Sequence, residues 1–142
     1  MIVDTTRRLI CRTEMVIDNG YPVPSKERKK LPINILKLEH KTGMEYGFMF
    51  FEKESEENVC QIHFENKRRE YEVSYGTNEK YRRNGYMKEA LVFFVEWIFE
   101  NTSVEKMYAL INNNSTSKHI LETCGFMYEY HDEYGDWFSI SK

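Results

Sequence analysis

Residues 71–91 read YEVSYGTNEKYRRNGYMKEAL and combine a short strand, a polar turn and the start of a helix. Tyr71, Val73 and Tyr75 alternate with polar residues, which predicts a strand with one apolar face. After Gly85 the apolar residues recur at the period of an amphipathic helix. They are Met87, Leu91, Phe94 and Ile98. We therefore expect a strand that leads through a polar turn into a long helix.

The turn before this helix has the features of an anion site. Arg82 and Arg83 precede Gly85, and Lys88 follows it. The first N–H groups of a helix lack intrahelical partners and carry about half a positive charge, and glycine lets an anion approach the backbone. This pattern predicts a diphosphate cradle. A loop of solvated arginines with an ordinary glycine turn is the alternative, and the sequence contains neither the Walker pattern nor Gly-x-Gly-x-x-Gly.

The rest of the chain alternates strand and helix patterns. Strands are predicted at residues 9–16, 46–51, 59–64, 71–75, 106–111, 126–130 and 137–140. The acidic residues 52–57 and 131–136 are predicted as turns, and 115–124 as a helix that ends at Gly125. Three prolines interrupt residues 17–40, where one helical turn is predicted near 26–30.

Composition narrows the class of protein. A chain of 142 residues predicts one domain, residues 1–142. The net charge of −3 argues against binding to nucleic acid or to an anionic membrane, and the longest apolar run, six residues, is far below the roughly 20 that span a bilayer. Three widely spaced cysteines and a charged N-terminus predict a reduced, cytoplasmic protein. The four histidines are scattered singly, so no metal site is predicted.

Residues 81–91 closely resemble the coenzyme A loop and helix of the GNAT N-acetyltransferases. The family pattern is Arg/Gln-x-x-Gly-x-Gly/Ala; Arg82 and Gly85 match it, and Met87 departs from it. The helix start, Gly-Tyr followed by Glu89-Ala90, resembles the ribosomal-protein N-terminal acetyltransferase subgroup.

A second block resembles the same subgroup. Its signature of Asn-x-x-Ser, Leu and Gly-Phe is matched by Asn114, Ser117, Leu121 and residues 125–126. The resemblance implies the GNAT fold, an α/β fold with a mixed, mostly antiparallel sheet that splays between strands 71–75 and 106–111, with acetyl-CoA in the gap. The N-terminal helical region is abbreviated, which implies an open acceptor pocket or one completed by a second subunit of a homodimer.

The resemblance also implies a set of cofactor-binding residues. Backbone groups of Tyr75, Gly76 and Thr77 would pair with the pantetheine arm. The diphosphate would lie on the loop formed by Arg82, Arg83, Asn84, Gly85, Tyr86 and Met87. Asn114 would bind the pantetheine amide, although it could equally be a helix N-cap, and Ser117 would lie near the thiolate.

Acyl transfer from a thioester to an amine needs a base for the amine and a proton for the leaving thiolate. Glu72, on the polar face of the strand, is the candidate base, and a surface glutamate in an ion pair is the alternative. Ser117 resembles the subgroup serine that donates the proton, and a helix serine is the alternative. The family tyrosine four positions after this serine is Leu121 here. Tyr128 is an alternative proton donor, although it is expected to pack in the core.

The leading functional prediction is an acetyl-CoA-dependent N-acetyltransferase that acts on a primary amine by direct transfer, so Cys124 is expected in the core rather than as a nucleophile. Acidic residues in 129–136 would attract a cationic acceptor, either a protein N-terminus or a small amine. The alternative is a non-catalytic GNAT-fold module that binds acyl-CoA as a sensor or partner subunit. A third class of function is binding of single-stranded nucleic acid by aromatic residues beside the basic residues 67–69 and 82–83. The negative net charge disfavours it.

Overall fold

The computed structural model describes residues 2–6, 8–18, 21–22, 45–65, 71–112 and 115–142. Within them the chain forms nine strands, two α-helices and a short 3-10 helix, Glu79–Tyr81. The strands are β1 (Ile2–Thr5), β2 (Leu9–Asp18), β3 (Tyr21–Pro22), β4 (Glu45–Glu52), β5 (Asn58–Glu65), β6 (Glu72–Thr77), β7 (Lys106–Ile111), β8 (Met127–Asp132) and β9 (Gly135–Ser141), and the helices are α1 (Tyr86–Asn101) and α2 (Ser115–Thr123).

The strands form one mixed sheet in the order β1-β2-β4-β5-β6-β7-β9-β8, with β3 paired to β2. The β6–β7 pair is parallel, and the other pairs in this described part of the sheet are antiparallel. A parallel pair needs a long crossover connection, which α1 provides. The predicted α/β fold with a mostly antiparallel sheet is confirmed.

The core lies between α1 and one face of strands β4 to β7. Phe94 of α1 packs edge-on against Phe48, with ring centroids 4.9 Å apart, and lies 5.7 Å from Phe64. The predicted apolar stripe is confirmed, because α1 buries Met87, Ala90, Leu91, Phe94, Val95, Trp97, Ile98 and Phe99. Side chains on the opposite face of the sheet therefore point away from α1, since successive residues of a strand alternate.

The predicted strands and helices are confirmed with small shifts of their ends. Gly125 follows α2 with φ +96°, the left-handed conformation expected after a helix, and the Phe126 N–H donates to the Leu121 carbonyl at 2.9 Å. The predicted turn at 131–136 is too long, because β8 runs through Asp132 and β9 begins at Gly135. Strands β1 and β3 were not predicted, and the helical turn predicted near 26–30 lies outside the described residues.

No helix in the described part of the chain is long and apolar enough to cross a membrane.

Candidate functional site

The parallel strands β6 and β7 separate soon after they meet. Their ladder consists of two residue pairs, Glu72 with Tyr108 and Val73 with Ala109. Beyond this point residues 74–77 of β6 pair with β5, and Leu110 and Ile111 of β7 pair with β9. A gap therefore opens between the two strands towards their C-terminal ends, where the sequence predicted a splay.

Tyr75 connects the β6 side of this gap to α2. Its hydroxyl donates a hydrogen bond to the Ser117 carbonyl at 3.1 Å, so two of the predicted site residues are brought together. Burial of the ring raises the pKa of Tyr75 to about 12 despite this hydrogen bond, so the hydroxyl keeps its proton at neutral pH. Asn114, which was predicted to bind the pantetheine amide, lies outside the described residues.

Gly76 and Thr77 continue β6 along the gap, and both are partly exposed. A Cβ atom added at Gly76 would lie 3.0 Å from the Gln61 side-chain nitrogen, so a larger residue here would displace Gln61. The predicted backbone pairing of residues 75–77 with a ligand stays a prediction. The position of these residues on the diverging strand is compatible with it.

The loop between β6 and α1 has an unusual backbone. Arg83 and Gly85 both adopt left-handed conformations, with φ +65° and +73°. Local alternation between right- and left-handed residues gathers successive N–H groups into a concave nest that binds anions. Gly85 is the N-cap of α1 and makes no side-chain cap, so the N–H groups of the first helical turn face the loop.

The carbonyl groups of the same loop are held by side chains. The Asn84 amide donates to the carbonyls of Tyr81, at 3.3 Å, and Arg82, at 3.1 Å. The Asn84 carbonyl accepts from Arg8 Nη1 at 3.0 Å. A carbonyl oxygen turned towards an anion would repel it, so engaging these groups elsewhere favours anion binding. The arrangement fits the predicted diphosphate cradle.

The side chains around the loop are of two kinds: exposed cationic side chains, and side chains that pack in the core or form hydrogen bonds within the fold. Arg82, Arg83 and Lys88 are exposed and place positive charge at the N-terminus of α1. Met87, the departure from the family pattern, is 4% exposed and packs in the core. Tyr86 donates a hydrogen bond to Glu52, so its side chain fastens α1 to the end of β4.

A surface cavity of about 470 Å³ flanks the first turns of α1. It is lined by Thr6, Gly85, Lys88, Glu89, Val92, Phe93 and Glu96. None of these residues belongs to β6 or β7, so this cavity lies beside the loop rather than within the gap.

Glu72 opens β6 on the face of the sheet away from α1, since its neighbour Val73 packs in the core. It is 8% exposed, so its side chain is largely buried. The register aligns Glu72 with Glu65 of β5, and Glu65 with Glu45 of β4. Three carboxylates thus share one row and one face near the splay, and Glu45 of this row lies 3.5 Å from His63 Nδ1.

Two carboxylates of the acidic hairpin at 129–136 have partners within the chain. Glu129 accepts from the Lys106 ammonium at 2.6 Å and from the Ser139 hydroxyl at 2.9 Å. Asp136 contacts His131 Nδ1 at 2.9 Å. Sequence reasoning missed the row of Glu45, Glu65 and Glu72, which the strand register brings together at the start of β6.

Two further predictions concern alternative catalytic groups. Tyr128 is 56% exposed on the edge strand β8, so the expectation that it packs in the core is wrong. Cys124 packs against the core, and burial raises the pKa of its thiol. A protonated thiol is a poor nucleophile, which agrees with the prediction that Cys124 is not one.

Sequence reasoning also missed a partly buried ion pair at the start of α1. Glu89 accepts from Arg8 Nε at 2.7 Å, from the Arg8 backbone N–H at 3.0 Å and from the Thr6 hydroxyl. Partial burial acts to raise the pKa of the Glu89 carboxyl, but these hydrogen bonds outweigh it and hold the pKa below the usual 4.5.

This pKa shift predicts a pH dependence of stability. Because the folded-state pKa of Glu89 is lowered, its stabilising contribution is complete at neutral pH and is lost as the pH falls below 4.5 and through the lowered pKa. We expect Glu89→Gln to reduce the free energy of unfolding by about 1–2 kcal/mol at pH 7. Urea unfolding at pH 7 and at pH 3.5 should show the difference from wild type shrinking at the lower pH; an equal difference would contradict this assignment.

A mixed sheet that splays at a parallel pair, beside a loop with two left-handed residues at the start of the crossover helix, is the arrangement that the resemblance to the GNAT fold implied. The model of the acetyltransferase (GNAT) domain matches residues 6–127. The chain therefore belongs to the GNAT acetyltransferase family, as the sequence predicted.

Solved structures of several acetyltransferases share the fold. A GNAT-family acetyltransferase of Bacillus anthracis is 20% identical over 67% of this chain and 65% of its own, with a TM-score of 0.60. The ribosomal-protein-S5-alanine acetyltransferase of Vibrio fischeri is 21% identical over 69% and 61%, with a TM-score of 0.58. The spermidine/spermine N-acetyltransferase of Vibrio cholerae is 16% identical over 68% and 65%, with a TM-score of 0.58.

At these identities the likeness concerns the fold alone. The matched region is under two thirds of the length of these proteins. No curated protein matches the chain in sequence.

Proposed function

We propose that the protein is an acetyl-CoA-dependent N-acetyltransferase that acetylates a cationic primary amine by direct transfer. The observation that carries this proposal is the separation of β6 from β7 after two residue pairs, next to the left-handed loop at Arg83 and Gly85. The gap offers a strand edge to a pantetheine amide, and the loop offers N–H groups to a diphosphate. These are the two polar parts of coenzyme A.

The cosubstrate would be held mainly by the backbone. Residues 75–77 would pair with the pantetheine arm, and the amides of residues 84–87 would bind the diphosphate, with Arg82 and Arg83 adding charge. Asn114 would bind the pantetheine amide, and Ser117 would lie near the thiolate. Main-chain recognition explains why a methionine is acceptable at position 87: its amide remains at the loop while its side chain fills the core.

The chemistry requires three proton movements. The acceptor ammonium loses a proton to Glu72 through a water molecule, and the neutral amine attacks the thioester carbonyl. The attacking nitrogen, now positively charged, loses its second proton to solvent. The carbon–sulfur bond then breaks to leave the amide, and the Ser117 hydroxyl protonates the thiolate and recovers a proton from solvent. Glu72 is suited to the first step because it is buried at the point where β6 and β7 part. Direct attack needs no acyl-enzyme, in keeping with the protonated Cys124.

The acceptor is inferred from charge. The row formed by Glu45, Glu65 and Glu72 would attract an ammonium group to the face that carries the base. Proteins with this fold include a ribosomal-protein acetyltransferase and a spermidine/spermine acetyltransferase, whose acceptors are both amines. A peptide N-terminus and a polyamine are therefore the acceptors to try first. A homodimer, a single domain and a cytoplasmic location stay predictions.

The test is release of free thiol from acetyl-CoA with a panel of amines: peptides beginning with serine or alanine, spermidine, spermine and a neutral aromatic amine. We expect turnover with a cationic acceptor, an acetylated product of matching mass, and an acceptor KM that rises with salt. Binding of CoA without turnover for any amine would favour the non-catalytic acyl-CoA module. Absence of both binding and turnover would overturn both functions.

A further inference from the structure

Arg8 connects the start of β2 to the loop and to α1. Its backbone N–H and its Nε bind the two oxygens of Glu89, and its Nη1 donates to the Asn84 carbonyl at 3.0 Å. The guanidinium group also stacks over the Tyr86 ring, 4.2 Å from the centroid. One side chain therefore contacts three residues of a segment that lies some 80 positions away in the sequence.

These contacts lie at the part of the loop that has the least favourable backbone conformation. Arg83 and Gly85 are both left-handed, and Asn84 lies between them. A non-glycine residue keeps this conformation only when its surroundings enforce it. The Arg8 guanidinium donates a hydrogen bond to the Asn84 carbonyl, and Glu89 holds the guanidinium in place and balances its charge.

We infer that Arg8 is a positioning residue for the diphosphate: by holding the Asn84 carbonyl it keeps the N–H groups of residues 84–87 directed towards the ligand. This inference rests on the proposed function, because the ligand is the diphosphate of acetyl-CoA. Arg8 acts through the loop backbone, with Glu89 as its support.

The experiment compares Arg8→Lys with Arg12→Lys. Lysine keeps the charge but loses the planar fork. Arg12 is a matched control, since it lies four residues further along the chain, on β2, and its guanidinium also stacks on an aromatic ring, that of Phe51, at 4.9 Å. KM and kcat are measured with acetyl-CoA and with acetyl-pantetheine, which lacks the diphosphate, using the best acceptor from the amine panel.

For Arg8→Lys we expect KM for acetyl-CoA to rise about tenfold, with kcat and the KM for acetyl-pantetheine within about twofold of wild type. Arg12→Lys should change neither KM, even if its melting temperature falls equally. An unchanged KM for acetyl-CoA in Arg8→Lys would overturn the inference. An equal rise in KM for both acyl donors would also overturn it, because that result would indicate a change of the whole site rather than of the diphosphate loop.

A second readout separates this inference from the proposed function. Hydrogen–deuterium exchange of the unliganded protein reports the loop directly, and Arg8→Lys should accelerate exchange at residues 84–88 several-fold more than Arg12→Lys does. If the wild-type protein shows no turnover but exchange at residues 84–88 is still faster in Arg8→Lys than in Arg12→Lys, the proposed function is refuted and the positioning role of Arg8 is kept. Equal exchange in the two variants would refute the positioning role.

Discussion

Replacing Glu72 with glutamine is expected to lower kcat for acetyl transfer by about 100- to 10,000-fold, the range over which a general base contributes. Glutamine nearly matches glutamate in shape but cannot accept the amine proton. Because Glu72 lies at the start of β6, and the expected diphosphate site is at the other end of the strand, the Kd for acetyl-CoA should stay within about twofold of wild type. Steady-state kinetics and calorimetric titration measure the two quantities.

Glu65→Gln is the matched control for this variant. Glu65 lies opposite Glu72 on β5, so the same change removes the same charge from the same row. We expect it to raise the acceptor KM about threefold through weaker attraction of the ammonium group, with little change in kcat. If Glu72→Gln behaves like Glu65→Gln, Glu72 contributes charge alone and is not the base.

Replacing Gly135 with alanine is expected to lower the free energy of unfolding by more than about 3 kcal/mol. Gly135 begins β9 with φ +137°, a conformation that L-residues rarely adopt. A Cβ atom there would lie 2.2 Å from Asn112 Oδ1 and 2.6 Å from the Ile111 carbonyl oxygen. That carbonyl belongs to the last residue of β7, whose pairing with β9 fixes it in place, so the clash would force apart the two strands at the edge of the gap.

Gly125→Ala is the comparison for Gly135→Ala. Gly125 also has a positive φ, +96°, but its added Cβ would meet only the flexible end of the Ile140 side chain, at 3.3 Å. The expected loss is about 1–2 kcal/mol, the cost of the left-handed conformation. Urea unfolding measures both losses. If Gly135→Ala fails to fold and Gly125→Ala folds, the larger loss of stability at Gly135 is supported. Equal losses in the free energy of unfolding would contradict the predicted clash.

The elements that contain most of the site were predictable from local patterns. The alternation at residues 71–75 and the helical period from Met87 to Ile98 each reflect one continuous buried face, and burial of that face dominates the local choice of structure. Gly85 and the adjacent arginines were recognised because the N-terminus of a helix has a fixed electrostatic character. The splay followed only from the resemblance, since no local pattern records where two parallel strands part.

The features that the sequence did not predict depend on contacts between distant residues. Glu45, Glu65 and Glu72 each stand at the end of a strand and individually resemble solvated surface residues; only the register places them in one row. Arg8 meets Glu89 across 81 positions of sequence, and an arginine near the N-terminus gives no sign of so distant a partner. Tyr128 was expected inside because it is aromatic, but β8 is the edge strand of the sheet.

The central claim is that the loop before α1 and the gap between β6 and β7 bind coenzyme A. A crystal structure of the protein with acetyl-CoA tests it most directly. We expect the diphosphate oxygens to lie about 3 Å from the backbone nitrogens of residues 84–87, with the pantetheine arm beside residues 75–77. A diphosphate bound elsewhere, for example in the cavity beside Val92 and Glu96, would contradict the account.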